Sequence, residues 1–218
     1  MAEPQGLRAR KKQRTLQTIS DTAVTLFLER GFEKVSVSEI AERAEVSKPT
    51  LFRYFPSKED MALHRIGDHE DEAARVVRAR GAGEPPLGAL RRNFLRGLEA
   101  RDPVTGLCDH EQVLAFLRLL HGTPSLVARM HAYTGRAEDA LARALLEAHP
   151  ADSASDGELA DVSARLAAGQ IVTVQRVLAL DNWQRIDGGA SADKVSGHAT
   201  AAAEHAFGML STGLRRWA

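Results

Sequence analysis

The chain has 218 residues, and its 29 Lys plus Arg are balanced by 29 Asp plus Glu to a formal net charge of zero. That length holds one or two ordinary domains with a real core, and the charge balance excludes a globally basic coat, so any phosphate binding must be local and its non-specific part modest. Ala, Leu, Arg and Glu dominate, aromatics make up 5%, and no run alternates apolar and polar residues with β-branched enrichment over a strand's length, so an all-α fold is expected; the single Cys108 excludes an internal disulfide.

Residues 1–8 contain Pro and Gly and read as mobile. A helix is expected from about Arg10, because Leu16, Ile19, Ala23, Leu26 and Phe27 recur at helical spacing. Gly31 ends it as a left-handed cap, and Phe32 folds back as the apolar contact after the cap. Ser36 opens the next helix with Glu39 as its capping-box partner, and Val37, Ile40, Ala41 and Ala44 form the buried face. After a tight break Ser47 caps a third helix, where Pro49 is tolerated in the first turn; Leu51 and Phe55 face the core and Pro56 stops the helix. Ser57 caps a fourth helix, with Glu59 and Asp60 at its positive end.

The fourth helix, carrying Met61, Ile66, Ala73, Val76 and Val77, is expected to reach Arg80. Gly81 to Pro86 breaks it and is the best candidate for a domain junction. Further helices are expected near Leu87–Arg101, Asp109–His121, Ser125–Ala148, Glu158–Asn182 and Ser191–Trp217. Breaks fall at Asp102–Gly106, Gly122–Pro124, Pro150–Gly157 and Asp187–Gly189.

The segment from Ser36 to Phe55 carries the functional signal. Two short helices with almost no connector cross steeply, which is the geometry of a helix-turn-helix, and such a unit lays its second helix in the DNA major groove. Three motifs follow in order: Glu29-Arg-Gly-Phe32; Ser36-x-x-Glu-Ile-Ala-Glu-Arg-Ala44; and Val46-Ser-Lys-Pro-Thr-Leu-Phe-Arg-Tyr-Phe-Pro-Ser-Lys-Glu-Asp60. This order, spacing and identity resemble the DNA-binding domain of the TetR family of transcriptional repressors. The resemblance covers about residues 10–65; the rest is similar only in its helical layout.

The resemblance implies a three-helix helix-turn-helix DNA-binding domain over residues 1–60, with a basic N-terminal arm. It implies a C-terminal helical domain over 61–218 that binds a small-molecule effector and dimerises. A homodimer would bind a palindromic double-stranded operator. By position, Lys48, Pro49 and Thr50 match the start of the recognition helix, with Ser47 before them. Phe52 and Tyr54 match residues that touch base edges or backbone, Lys58 matches a lysine that meets phosphate, and Ser36 and Ser38 match a helix start near the backbone. Two departures stand out: Phe52 holds a position usual for tyrosine, and Glu45 holds a turn position usual for glycine, where positive φ is costly.

Side-chain chemistry agrees with these roles without the family. Lys48 and Arg53 can meet guanine edges or phosphates, although Arg53 lies either on the outward face or on the back of its helix. The Thr50 methyl suits a thymine methyl, Tyr54 offers a hydroxyl to the backbone, and Lys58 lies at a helix N-terminus that favours an anion. The arm from Arg8 to Arg14, including Arg10 and Lys11, either follows a phosphate strand or minor groove or is a frayed solubilising end.

In the C-terminal part, the helix from Glu158 and the last helix carry apolar stripes broader than one core needs, and by family analogy they would form a four-helix dimer seam. Phe94, Leu98, Phe116, Leu120, Tyr133 and Trp183 are candidates to line an effector pocket, with Gln170 and Thr173 orienting the ligand; ordinary core packing is the competing reading for each. No metal or cofactor site is expected, because the histidine spacings do not stack on one helix face, and no catalytic motif argues for an enzyme. No leader or membrane span is expected, and the chain reads as cytoplasmic.

Overall fold

The computed structural model describes residues 4–67, 69–149 and 154–218. Those residues form ten α-helices and no strand: α1 (Pro4–Arg30), α2 (Val37–Arg43), α3 (Lys48–Tyr54), α4 (Lys58–Gly67), α5 (Glu72–Arg78), α6 (Pro86–Glu99), α7 (Glu111–Gly122), α8 (Pro124–Ala148), α9 (Ala154–Asp187) and α10 (Ala192–Gly213), with a 3-10 turn at Pro103–Thr105 before α7. The all-α expectation holds. The chain divides into two compact units: one holds the described residues up to Gly67 together with Ala115–His131, the other His69–Leu114 and everything described from Ala132 onward.

In the first unit the helix ends follow local chemistry. Gly31, at φ 87°, donates its N–H to the Phe27 carbonyl at 2.8 Å, and Phe32 then packs at a tilt against Phe27 with ring centroids 4.8 Å apart. Ser36 and Ser47 cap α2 and α3 by accepting the amides of Glu39 (3.2 Å) and Thr50 (3.3 Å). The second half of the expected capping box is absent: the Glu39 carboxylate pairs with Arg30 on α1 instead. Glu45 takes φ 54°, the left-handed conformation its position demands, and the Val46 N–H reaches the Ala41 carbonyl at 2.9 Å to close the helix end. Ile19, Phe27, Ile40, Leu51, Met61 and Leu63 are fully buried and form the centre of this unit.

The α1–α4 packing is tied by polar contacts. The Ser20 hydroxyl donates to the Met61 carbonyl at 2.9 Å, and Arg65 reaches Asp21. At the start of α4, Ser57 Oγ accepts the Asp60 amide at 3.1 Å and donates to Asp60 Oδ2 at 2.8 Å. The same buried carboxylate takes a two-pronged contact from Arg129 on α8, Nε at 2.8 Å and Nη2 at 3.0 Å.

Several boundaries differ from the sequence reading. α1 begins at Pro4, so residues 4–8, expected to be mobile, are helical, while residues 1–3 lie outside the described residues. The long fourth helix is two helices: α4 stops at Gly67 and α5 starts at Glu72. The intervening stretch is crowded with acids and offers no apolar side chain to pack, so the 3.6-residue stripe has nothing to hold it there. α9 starts at Ala154, before the expected Glu158, and runs on to Asp187, past the expected Asn182; Pro150–Ser153 lie outside the described residues.

The second unit is built on α10, which packs on both α6 and α9. Phe94 meets Phe207 at a centroid distance of 6.1 Å within a core that includes Leu90, Leu107, Leu141, Leu145 and Ile171. α10 ends at Gly213 rather than continuing to Trp217, and the chain turns so that the Trp217 carbonyl accepts the Leu87 N–H at 3.0 Å and the indole is buried. Gly106 is needed for close approach: its φ is 72°, and a Cβ there would stand 1.9 Å from the Ala179 carbonyl oxygen of α9. Buried Asn182 fixes the same contact by donating to the Thr105 carbonyl at 2.9 Å.

Candidate nucleic-acid interface

α3 has one inner face and one outer face, and the sequence sets both. Leu51 and Phe55, four residues apart, are buried. At 100° per residue, Pro49 and Arg53 then fall on the opposite side, and both are exposed. Lys48 and Phe52 flank them on one side; Phe52 is 50% exposed, an unusual state for a phenyl ring in a short helix with a core beneath it. Thr50 and Tyr54 flank them on the other side and are half-buried. The alternative left open for Arg53 is thus resolved outward. Its guanidinium lies 5.3 Å from the Tyr54 ring centroid, which stiffens both side chains.

The hydroxyls at the helix starts are partly committed. Ser47 Oγ shares a 2.9 Å hydrogen bond with Thr50 Oγ1 besides capping α3, so Thr50 presents its methyl more freely than its hydroxyl. Ser36 is exposed while capping α2, and Ser38 is exposed beside it. Arg10 and Lys11 stand exposed on α1.

Lys58 departs from this pattern. Its ammonium points inward, donating to the Phe32 carbonyl at 2.8 Å and the Val35 carbonyl at 3.2 Å. It also lies 4.2 Å from the Phe32 ring centroid and 5.9 Å from that of Phe27. Sequence reasoning saw a cation at a helix start; the carbonyls that claim it come from a loop more than twenty positions earlier and carry no signal of their own.

The eight candidate pocket residues do not share one unit. Phe116, half-buried, and Leu120, buried, belong to the first. Phe94 and Leu98 are buried in the core of the second, where Tyr133 and Trp183 are half-buried; the Arg136 guanidinium lies 4.3 Å from the Tyr133 ring centroid. Gln170 and Thr173 are exposed on α9, and the Gln170 amide donates to the Leu166 carbonyl at 3.2 Å. The second unit does open a polar groove lined by His69, Glu72, Arg75, Val76, Asn93 and Asp102, none of them among the eight. Glu72 there is held below the usual carboxylate range by the His69 hydrogen bond, against the effect of burial, with Asn93 adding to the lowering.

Asp109 accepts the Ala192 N–H at 2.8 Å, at the start of α10, and His198 pairs with Asp181 at 2.9 Å. Among the described residues, no three His, Cys, Asp or Glu side chains gather closely enough to hold a metal ion, and no helix is long and apolar enough to cross a membrane.

Comparison with known proteins places this geometry in a family. The model of bacterial regulatory proteins of the tetR family matches residues 19–64, the segment from α1 to α4 just described. The transcriptional regulator TcmR of Streptomyces glaucescens is 37% identical over 139 residues, 63% of this chain and 62% of its own length. The transcriptional repressor KstR of Mycolicibacterium smegmatis is 36% identical over 93 residues, 42% of this chain and 44% of its own. The chain thus aligns with less than two thirds of either relative. In overall fold it is similar to NalD of Pseudomonas aeruginosa, the secondary repressor of the MexAB-OprM multidrug efflux pump, with 17% identity, 90% of this chain and 96% of that one covered, and a TM-score of 0.53. The family model over α1 to α4 and the relatives that extend past it place the helix-turn-helix segment in the TetR family of transcriptional regulators, and the solved structure shares the all-helical fold.

Proposed function

We propose that this chain is a cytoplasmic, ligand-responsive transcriptional repressor that binds a palindromic operator as a homodimer and catalyses no reaction. The observation that carries the reading is the two-faced α3, with Leu51 and Phe55 sunk in the core and Lys48, Pro49, Phe52 and Arg53 turned to solvent. A cation at each end of an exposed helix face, with an apolar ring between them, suits base edges, phosphates and thymine methyls. Thr50 and Tyr54 extend that face, the exposed Ser36, Ser38 and Ser47 supply hydroxyls at helix starts, and Arg10 and Lys11 add charge for the phosphate strand.

Homodimerisation is supported by α9. Leu159, Val162, Leu166 and Val177 are all exposed and recur at helical spacing on one side, and Met209 on α10 is exposed as well. Two such faces self-match about a two-fold axis and would set the recognition helices about 34–36 Å apart, one turn of the duplex. Residues 61–218 would hold the effector. Binding would favour dimers in which that spacing is lost.

The test begins with genomic duplex fragments retained by the purified chain. Titration of a selected fragment should give affinity that falls steeply with salt. Lys48→Ala and Arg53→Ala should each cost about 1–3 kcal/mol of binding with unchanged thermal unfolding. A chain that retains no duplex even in dilute buffer would refute the reading.

A further inference from the structure

We infer that Lys58 is a positioning residue for the helix-turn-helix and makes no phosphate contact; the inference rests on the DNA-binding reading above. Lys58 is the first residue of α4, and its side chain is half-buried. A lysine at a helix N-terminus opposes the positive end of the helix dipole, and here that end is served by the Ser57 cap and by Glu59 and Asp60. The Lys58 ammonium instead turns to the loop between α1 and α2. It takes the carbonyls of Phe32 and Val35, at 2.8 and 3.2 Å, and lies against the face of the Phe32 ring at 4.2 Å.

Those two carbonyls bracket the turn between α1 and α2. The residue that follows Val35 is Ser36, the cap of α2. By gripping both ends of the turn, Lys58 fixes where α2 starts, and α2 packs on α3. Two of the ammonium's three N–H bonds go to those carbonyls and the Phe32 ring lies against the group, so meeting a phosphate would pull it away from contacts that hold a part-buried turn. Lys48, exposed on the outer face of α3, has no such commitment among the described hydrogen bonds. The two lysines therefore separate into one that meets DNA and one that holds the reader in shape.

Salt dependence distinguishes the roles. Removing a single lysine–phosphate interaction makes the slope of log affinity against log salt shallower by about 0.9. The full chain and its Lys58→Met, Lys58→Arg and Lys48→Ala variants are titrated with a selected operator duplex at salt concentrations from roughly 50 to 200 mM, where the dependence is steep. Amide hydrogen exchange of residues 37–41 is followed without DNA. Lys58→Met should bind at least about ten-fold more weakly at every salt with its slope unchanged, while α2 amides exchange at least about ten-fold faster. Lys58→Arg should also bind more weakly and exchange faster, because the planar guanidinium keeps the charge and does not fit the cradle. Lys48→Ala should show the opposite signature, a shallower slope with normal exchange.

A shallower slope for Lys58→Met with normal α2 exchange, or full affinity and normal exchange in Lys58→Arg, would overturn the inference. Should Lys58→Met fail to fold, Lys58→Arg still decides. If the unmodified chain ignores every duplex, the DNA-binding reading falls, while α2 exchange in the two variants still reports whether Lys58 holds the turn: normal exchange in both overturns that role.

Discussion

The first unit and the surface of α9 treat apolar side chains in opposite ways. From α1 to α4, the apolar residues at helical spacing are nearly all buried, and the ring left at the surface, Phe52, stands on the face proposed to read DNA. On α9, Ala164, Ala167, Ala168 and Ile171 are buried against their own chain, yet Leu159 is 70% and Leu166 62% exposed on another side. A helix apolar around most of its circumference belongs in an interior. The first unit completes its interior within one chain, and in the proposed dimer α9 would supply half of an interior shared by two. Periodicity identifies which residues share a face in both regions; it does not say how many chains are needed to cover it.

The largest effect should come from breaking the α9 face. Leu166→Asp with Val177→Asp is expected to yield a helical monomer in sedimentation and to cut operator affinity by about 100-fold or more, because two linked half-sites become independent. A dimer that survives both charges would mean the exposed stripe is not its seam.

The first unit is expected to depend on a contact within itself. Arg129→Met leaves the Asp60 carboxylate, 7% exposed, without its two-pronged partner. Breaking a buried pair from one side is costly, and discounting for the partly exposed arginine gives a loss of about 1–3 kcal/mol in urea unfolding. A loss within about 0.5 kcal/mol would show that Asp60 is content with Ser57 alone.

The smallest effect is a gain. Glu45→Gly removes a side chain from a φ of 54° and is expected to stabilise the unit by up to about 1 kcal/mol, a rise of a few degrees in the unfolding midpoint. Destabilisation would mean that the Glu45 side chain contributes more than its backbone costs.

What the sequence made legible was local. Gly31, Ser36, Ser47 and Pro56 act within three or four residues of themselves, so the ends of α1, α2 and α3 followed from inspection, as did the positive φ at Glu45. The break between α4 and α5 was hidden because Ile66, Ala73 and Val76 keep helical phase across it. Phase counting also put Arg53 opposite Leu51, but only burial of Leu51 and Phe55 decided which side is out. The surroundings of Lys58 were hidden for a different reason: its carbonyl partners lie 26 and 23 positions away, and no pattern in the chain announces a backbone oxygen. The pocket residues were chosen by type, and type alone does not assign Phe116 and Leu120 to one unit and Phe94 and Leu98 to the other.

α1 is already wound at Pro4, and this changes what its cluster of cations can do. From Arg10 to Arg14 the axis advances only about 6 Å while each step swings about 100°, so the positive groups radiate like spokes instead of trailing as a string. A stiff hub of this kind would be ill suited to threading a narrow channel between two sugar chains. Its reach is set by ionic screening, about 10 Å at 0.1 M salt, which suits it to hastening encounter with a polyanion and leaves the choice among sites to other parts of the molecule.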